Sequence, residues 1–291
     1  MKYSRIKQPV ALICALPMVL FSAQIEAGSD TSIDLEATIG FDDNVTRAEK
    51  NKDIEYAGFI EVIGTGSHML YIDKIGLLSA KAILGVTNVS RFNGLSHVTA
   101  GGALNYTFGF WKGFRAPWFA TEVSYEIKEF NSGLRDSDIF RANFNMGMHL
   151  DDKTNLLTGF NYNKRESDGT AFDTTDRSFF INLDWTFVKR QTIYLTYKIQ
   201  QGDTFSLASS LTDVRVITAS KAIEQDDVFK DKLAYRLDAT VQFITLGYNM
   251  AKNLDTSFDF SARYLESDAD DVDLQYEGLT LRATYFHRFS L

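Results

Sequence analysis

The chain has 291 residues, 45% of them hydrophobic and 13% aromatic, with a formal net charge of −8 and one cysteine. An acidic chain lacks the basic footprint that nucleic-acid binding needs, and one cysteine excludes a disulfide framework. A mean hydropathy of −0.16 excludes an array of membrane helices.

The first 27 residues read MKYSRIKQPVALICALPMVLFSAQIEA. Lys2, Arg5 and Lys7 make a basic start, and Val10 to Phe21 an apolar stretch of about a dozen residues, too short to span a bilayer. Ile25-Glu26-Ala27 fits a cleavage site. A cleaved secretory signal is therefore expected over 1–27, followed by one domain over 28–291. Cys14 falls inside the signal, and the bulky Ile13 before it does not fit a lipid-anchor site. The exported chain then has no thiolate metal site and no cysteine nucleophile. Losing the signal also removes more basic than acidic residues, so the remainder is more acidic still.

From there on, alternation is the rule. In FATEVSYEIKEF, Phe119, Thr121, Val123, Tyr125 and Ile127 share one face, while Glu122, Glu126 and Lys128 share the other. In SFFINLDWTFV, Phe179, Ile181, Leu183, Trp185 and Phe187 oppose Ser178, Asn182, Asp184 and Thr186. Such runs predict about twelve strands, over 31–41, 54–66, 74–89, 97–110, 117–130, 138–150, 155–166, 177–188, 191–202, 234–250, 255–266 and 278–291. Their length exceeds the five or six residues of an ordinary strand and matches the roughly nine to eleven needed to cross a bilayer at a tilt. Long polar connections, such as DDNVTRAEKNKD and the segment 203–233, alternate with short ones, such as DDKT, KR and AKNL. Around the turn FGFWKGFRAPWF, the cluster Phe108, Phe110, Trp111, Phe114, Trp118 and Phe119 fits an interfacial girdle. Gly64-Thr65-Gly66 reads as a loop near a turn, and Gly101-Gly102 as a bend within a strand.

The final stretch, YEGLTLRATYFHRFSL, keeps the alternation to Leu291. A last strand that pairs with the first cannot fray, and in lipid only closed barrels and helices satisfy every backbone group. This pattern resembles that of bacterial outer-membrane β-barrel proteins, whose last strand alternates hydrophobic residues and usually ends in an aromatic. Here Phe289 and Tyr285 hold the alternate places and Leu291 the last. The resemblance implies an all-β fold, a closed antiparallel transmembrane barrel of about twelve strands, with long extracellular loops and short periplasmic turns. It also implies a bacterial outer-membrane location, contact with outer-membrane lipid and lipopolysaccharide, and insertion by the barrel assembly machinery. No passenger or periplasmic domain is expected beside the barrel.

If the apolar sides face lipid, the opposite sides line the lumen. The expected pore-lining residues are Asp34, Glu36, Glu61, Glu122, Glu126, Arg141, Arg165, Asp184, Lys198, Arg236, Asp259, Arg263 and Arg282. Two arrangements fit. Opposed acidic and basic walls would set a transverse field across water, or neighbouring charges would pair, with Arg282 and Arg288 meeting Asp34 and Glu36 across the closing seam. The loop 203–233 either folds inward as a constriction or forms an extra hairpin above the membrane. His68, His97, His149 and His287 stand in no Ser/His/acid pattern, and the acidic loop ESDADDVDLQYE lacks the spacing of a calcium loop. No catalytic residue, metal site or cofactor is expected. The function expected is a narrow passive channel for small polar solutes. The alternatives are a filled barrel acting through its surface loops and an outer-membrane hydrolase.

Overall fold

A computed structural model of the chain describes residues 31–72, 76–110, 113–210 and 213–291; the expected signal lies outside them. Among the described residues, no helix is long and apolar enough to cross a membrane. The strands are β1 (Thr31–Asp42), β2 (Ala57–Ile72), β3 (Gly76–Val89), β4 (His97–Phe108), β5 (Trp118–Phe130), β6 (Ser137–His149), β7 (Thr154–Ser167), β8 (Thr174–Val188), β9 (Gln191–Ala208), β10 (Ala222–Gln225), β11 (Leu233–Ala251), β12 (Thr256–Ala269) and β13 (Gln275–Ser290). Each pairs antiparallel with its sequence neighbour, except that β9 pairs directly with β11. β13 pairs with β1 from Ser32↔Ser290 to Asp42↔Thr280, which closes the ring. β10 pairs only with the start of β11 and stands outside that ring.

The alternation sets the two faces. Ile39, Ile60, Leu84, Leu104, Phe144 and Leu246 stand on the outside, each between about two-fifths and two-thirds exposed. So continuous an apolar surface is far larger than the patches a soluble monomer shows, and it suits acyl chains: the fold is a transmembrane barrel. Inside, aromatic rings lie across glycines of the paired strand: Phe59 on Gly40, Trp118 on Gly147, Phe180 on Gly159 and Tyr194 on Gly247. A Cβ at any of these glycines would enter the ring. The rings therefore lie against the wall instead of projecting into the lumen.

Three sequence expectations need correction. Gly64, Thr65 and Gly66 are not in a loop; they lie inside β2, paired with Leu84, Ile83 and Ala82. Some connections expected to be long are short, because the strands run on past the predicted ends. Arg236 does not line the lumen: it shares its side of β11 with Ile244 and Leu246, and its guanidinium donates to the Asp173 carbonyl at the long-loop end. The reason is a switch of environment along β11. Near the turn end Ile244 and Leu246 face outward, but near the loop end the apolar side is the other one, Tyr235, Leu237, Ala239 and Val241, and it packs into protein.

The segment 203–233 is neither a plain constriction nor a free hairpin. At Gly202 the backbone has φ 129° and packs against the Thr175 carbonyl, an approach that leaves no room for a Cβ. Beyond it β9 leaves β8 and pairs with β11 alone, 203–208 with 233–238, while β10 pairs with the other edge of β11 over 233–236, giving a three-stranded ribbon. The helix α1 (Val214–Ala219) and β10 complete this excursion. On one side of the ribbon, Leu207, Phe205 and Ala234 pack with Phe229, Phe172, Leu134, Phe92, Leu95 and Val45. On the other, Tyr235 and Leu237 pack with Val216, Val272 and Leu274. These partners come from every loop at that end, on strands all round the ring. They can meet only if the loops lean over the mouth, so the ribbon is the spine of a cap.

Candidate functional site

The interior has two halves along its axis. Strand direction sets the height, because each strand runs between the short-turn end and the long-loop end. In the short-turn half stand Asp34 and Glu36 on β1, Glu122 on β5, Asp184 on β8 and Asp259 on β12. Two cations stand with them and each is tied to one carboxylate: Arg288 donates to Asp34 at 2.7 and 2.8 Å, and Lys81 to Glu122 at 2.6 Å. Asp259 accepts from the Tyr194 hydroxyl at 3.0 Å and Asp184 from the Asn182 amide at 2.6 Å, both neutral donors. Glu36, Asp184 and Asp259 make no ion pair among the described residues.

The long-loop half has the opposite balance. Lys128, Arg141, Arg165, Lys198, Arg263 and Arg282 stand there, against Glu61, Glu126 and Asp176. Arg141 bridges to Glu126. Glu61 accepts from Thr87 at 3.2 Å and Asp176 from Asn163 at 2.8 Å. The Arg165 guanidinium donates to the Arg135 carbonyl at 2.9 Å, and its Nε has no partner. Among the described residues, Lys128, Lys198, Arg263 and Arg282 make no ion pair. Lys198 and Arg263 flank the Phe243 ring at 4.9 and 5.7 Å, Arg282 lies over Phe59 at 5.5 Å, and the Arg263 Nε is buried without a partner.

The pairing expected across the seam is half met. Arg288 reaches Asp34, but Arg282 stands opposite Gly40 and not with Glu36. Of the thirteen residues named from sequence, all but Arg236 fall on the side of the strand opposite the exposed apolar residues. The axial sorting of their charge was not read from sequence, although strand direction and residue position together would have shown it.

The cap is held by charges that sequence reasoning missed. Arg135, 3% exposed, bridges to Asp226, 1% exposed, at 2.5 Å and to Asp227 at 3.2 Å. Its guanidinium also lies 4.2 Å from the Phe172 ring centre. Asp226 accepts from the Val228 and Phe229 amides as well, and Asp227 from the Ser132 hydroxyl at 2.6 Å. Lys221 bridges Asp203 and Asp238 at 2.8 and 2.6 Å. The ribbon tip meets the first loop through Leu207 N to the Thr46 carbonyl, 3.1 Å, and Ser206 to the Arg47 carbonyl, 2.6 Å. At α1, Asp213 caps the helix, and hydrogen bonds from the Arg215 side chain and backbone hold its carboxyl below the usual range.

The histidines are dispersed. His97 meets the Leu95 carbonyl, His149 the Asn155 side chain, His68 Thr31 and His287 Thr256. Among the described residues, no group of three or more His, Asp or Glu side chains converges as a metal site would.

No protein-family model matches the chain, and no curated protein sequence matches it. Its fold is similar to that of an outer membrane channel from Pseudomonas putida F1, with a TM-score of 0.60 at 10% identity, over 91% of this chain and 97% of that one. Weaker likenesses reach the NanC porin, TM-score 0.44 at 8% identity over 88% and 100% of the two chains. The monoaromatic hydrocarbon channel TodX gives 0.45 at 7% over 90% of each. Likenesses at that level say nothing about cargo here.

Proposed function

We propose that this chain is an outer-membrane channel, a narrow passive pore for small polar solutes, whose long-loop end faces outward under a loop cap. In this reading the short turns face the periplasm, the apolar belt meets outer-membrane lipid and lipopolysaccharide, and the assembly machinery inserts the barrel. The pore-lining residues are Asp34, Glu36, Glu61, Glu122, Glu126, Arg141, Arg165, Asp184, Lys198, Asp259, Arg263 and Arg282. They set selectivity and perform no reaction.

The observation that carries this reading is the unpaired interior charge. A filled barrel pairs its charges, because one left in a dry interior costs several kcal/mol. Lys198, Arg263 and Arg282 make no ion pair among the described residues; each rests on an aromatic ring, Phe243 or Phe59, and the rest of their solvation is left to water in the lumen. The rings folded onto glycines leave the bore to that water.

One observation favours a second reading, a barrel that acts through its surface: the loops share a buried core instead of standing free. The two readings part in single-channel recording of the refolded chain in a planar bilayer. Discrete conductance steps are expected. Silence from protein shown to be folded and inserted overturns the channel. Deleting residues 208–226, which removes α1 and β10, is expected to raise the step size, and an unchanged step would mean that this part of the cap does not restrict the mouth.

A further inference from the structure

We infer that the lumen is a bipolar junction, so that the pore passes ionic current more readily in one direction than in the other. The inference rests on the channel reading above and adds the polarity of its charge. A transverse field, with acidic wall facing basic wall, would treat the two directions alike. The charge found here is sorted along the axis instead. In the periplasmic half, Glu36, Asp184 and Asp259 stand without cations, since Arg288 and Lys81 are taken by Asp34 and Glu122. In the outer half, where Glu126 is taken by Arg141, the cations Lys128, Arg165, Lys198, Arg263 and Arg282 make no ion pair among the described residues and outnumber the two unbridged carboxylates, Glu61 and Asp176.

The scale of the bore makes this sorting effective. Twelve strands about 4.8 Å apart and tilted about 40° close into a ring roughly 12 Å in radius. Side chains narrow it to less than the Debye length of about 8 Å at physiological salt. Each half then fills with its own counterion, anions in the outer half and cations in the periplasmic half. A field that makes the periplasmic side positive draws anions in from outside and cations in from the periplasm. Both abundant carriers move toward the junction and conductance is high. The opposite field draws both away from the junction, depletes it and lowers conductance. Anionic solutes arriving from outside meet the cationic half first.

The test is the current–voltage curve of the refolded chain at two salt concentrations. The side facing each chamber is fixed by an Asp152→Cys variant, labelled from one chamber with a membrane-impermeant thiol reagent; Cys14 precedes the described barrel and is left out of the refolded chain. At ~0.1 M KCl, currents at equal and opposite voltages should differ about twofold or more, larger with the periplasmic side positive. At ~1 M KCl, where the Debye length is about 3 Å, the ratio should approach one. Combined Glu36→Gln, Asp184→Asn and Asp259→Asn should abolish the asymmetry and leave an anion-selective pore. Combined Lys198→Met, Arg263→Gln and Arg282→Gln should abolish it and leave a cation-selective one. The salt comparison uses the unsubstituted chain, so the test stands even where a triple variant does not fold. Equal currents in both directions at low salt, or the reverse asymmetry, overturn the junction while the channel reading stands. No current from folded, inserted protein overturns both.

Discussion

The wall and the cap bury opposite things. In the wall, Leu246 and Ile39 are more than half exposed while charged and polar side chains turn inward. In the cap, Phe172, Leu207 and Ala234 are at most 1% exposed and charges ring the core, the order of any soluble domain. Like β9, β11 passes through both, and its apolar side changes over between Val241 and Ile244. The difference teaches that each part of the chain is solved for its own surroundings: an apolar outside around a polar interior for the wall, a polar outside around an apolar centre for the cap.

Three substitutions would break or sharpen that contrast. Arg135→Ala should act most strongly, because it leaves Asp226 buried without its cation, at a cost of about 3–5 kcal/mol. The loss should stay in the cap: loop protease sites should open while heat-modifiable gel migration of the barrel is unchanged. Loss of that migration would show that wall and cap fold as one unit. Leu246→Arg is the reciprocal case. It sets a charge on the lipid face mid-wall and should cost about 2–4 kcal/mol of barrel stability, read by urea unfolding in lipid vesicles. Loop proteolysis of the folded fraction should not change.

Asp213→Ala should do least, since its carboxyl is exposed and holds only α1. That carboxyl lies below its unfolded value, so its contribution is present above an unfolded pKa of about 3.9 and is lost as pH falls through the folded value. The hydrogen-exchange protection of α1, taken relative to the intrinsic rate at each pH, should fall on acidification in the parent chain, and the variant should already be weakly protected at neutral pH. Barrel exchange should be the same in both.

The contrast also explains how much was legible. Runs such as Phe179 to Phe187 alternate without a break, because one face is always lipid and the other always lumen; the strands, their closure and the inward side of Glu122, Asp184 and Arg263 followed from that. Arg236 was misplaced because the rule that the apolar side faces lipid holds only where there is lipid. The cap core was not legible at all. Phe92, Phe172 and Phe229 are single apolar residues in polar loops, brought together from different strands, and no local period announces them. The Arg135–Asp226 bridge joins positions far apart in sequence, and only the folded ribbon places them in contact.

The ladder between β1 and β13 bears on how the molecule can be made. β1 is the first strand of the ring to be synthesised, and one of its two edges has no partner until β13 exists. Until then the growing sheet carries an open row of backbone donors and acceptors beside a strongly apolar face, the combination most prone to sticking to other chains. No smaller ring can seal along the way, because the register from Ser32↔Ser290 to Asp42↔Thr280 belongs to these two strands. The ring can therefore seal only once its last strand is in place, and the exposed edge of β1 sets the interval over which the chain is open to wrong pairing.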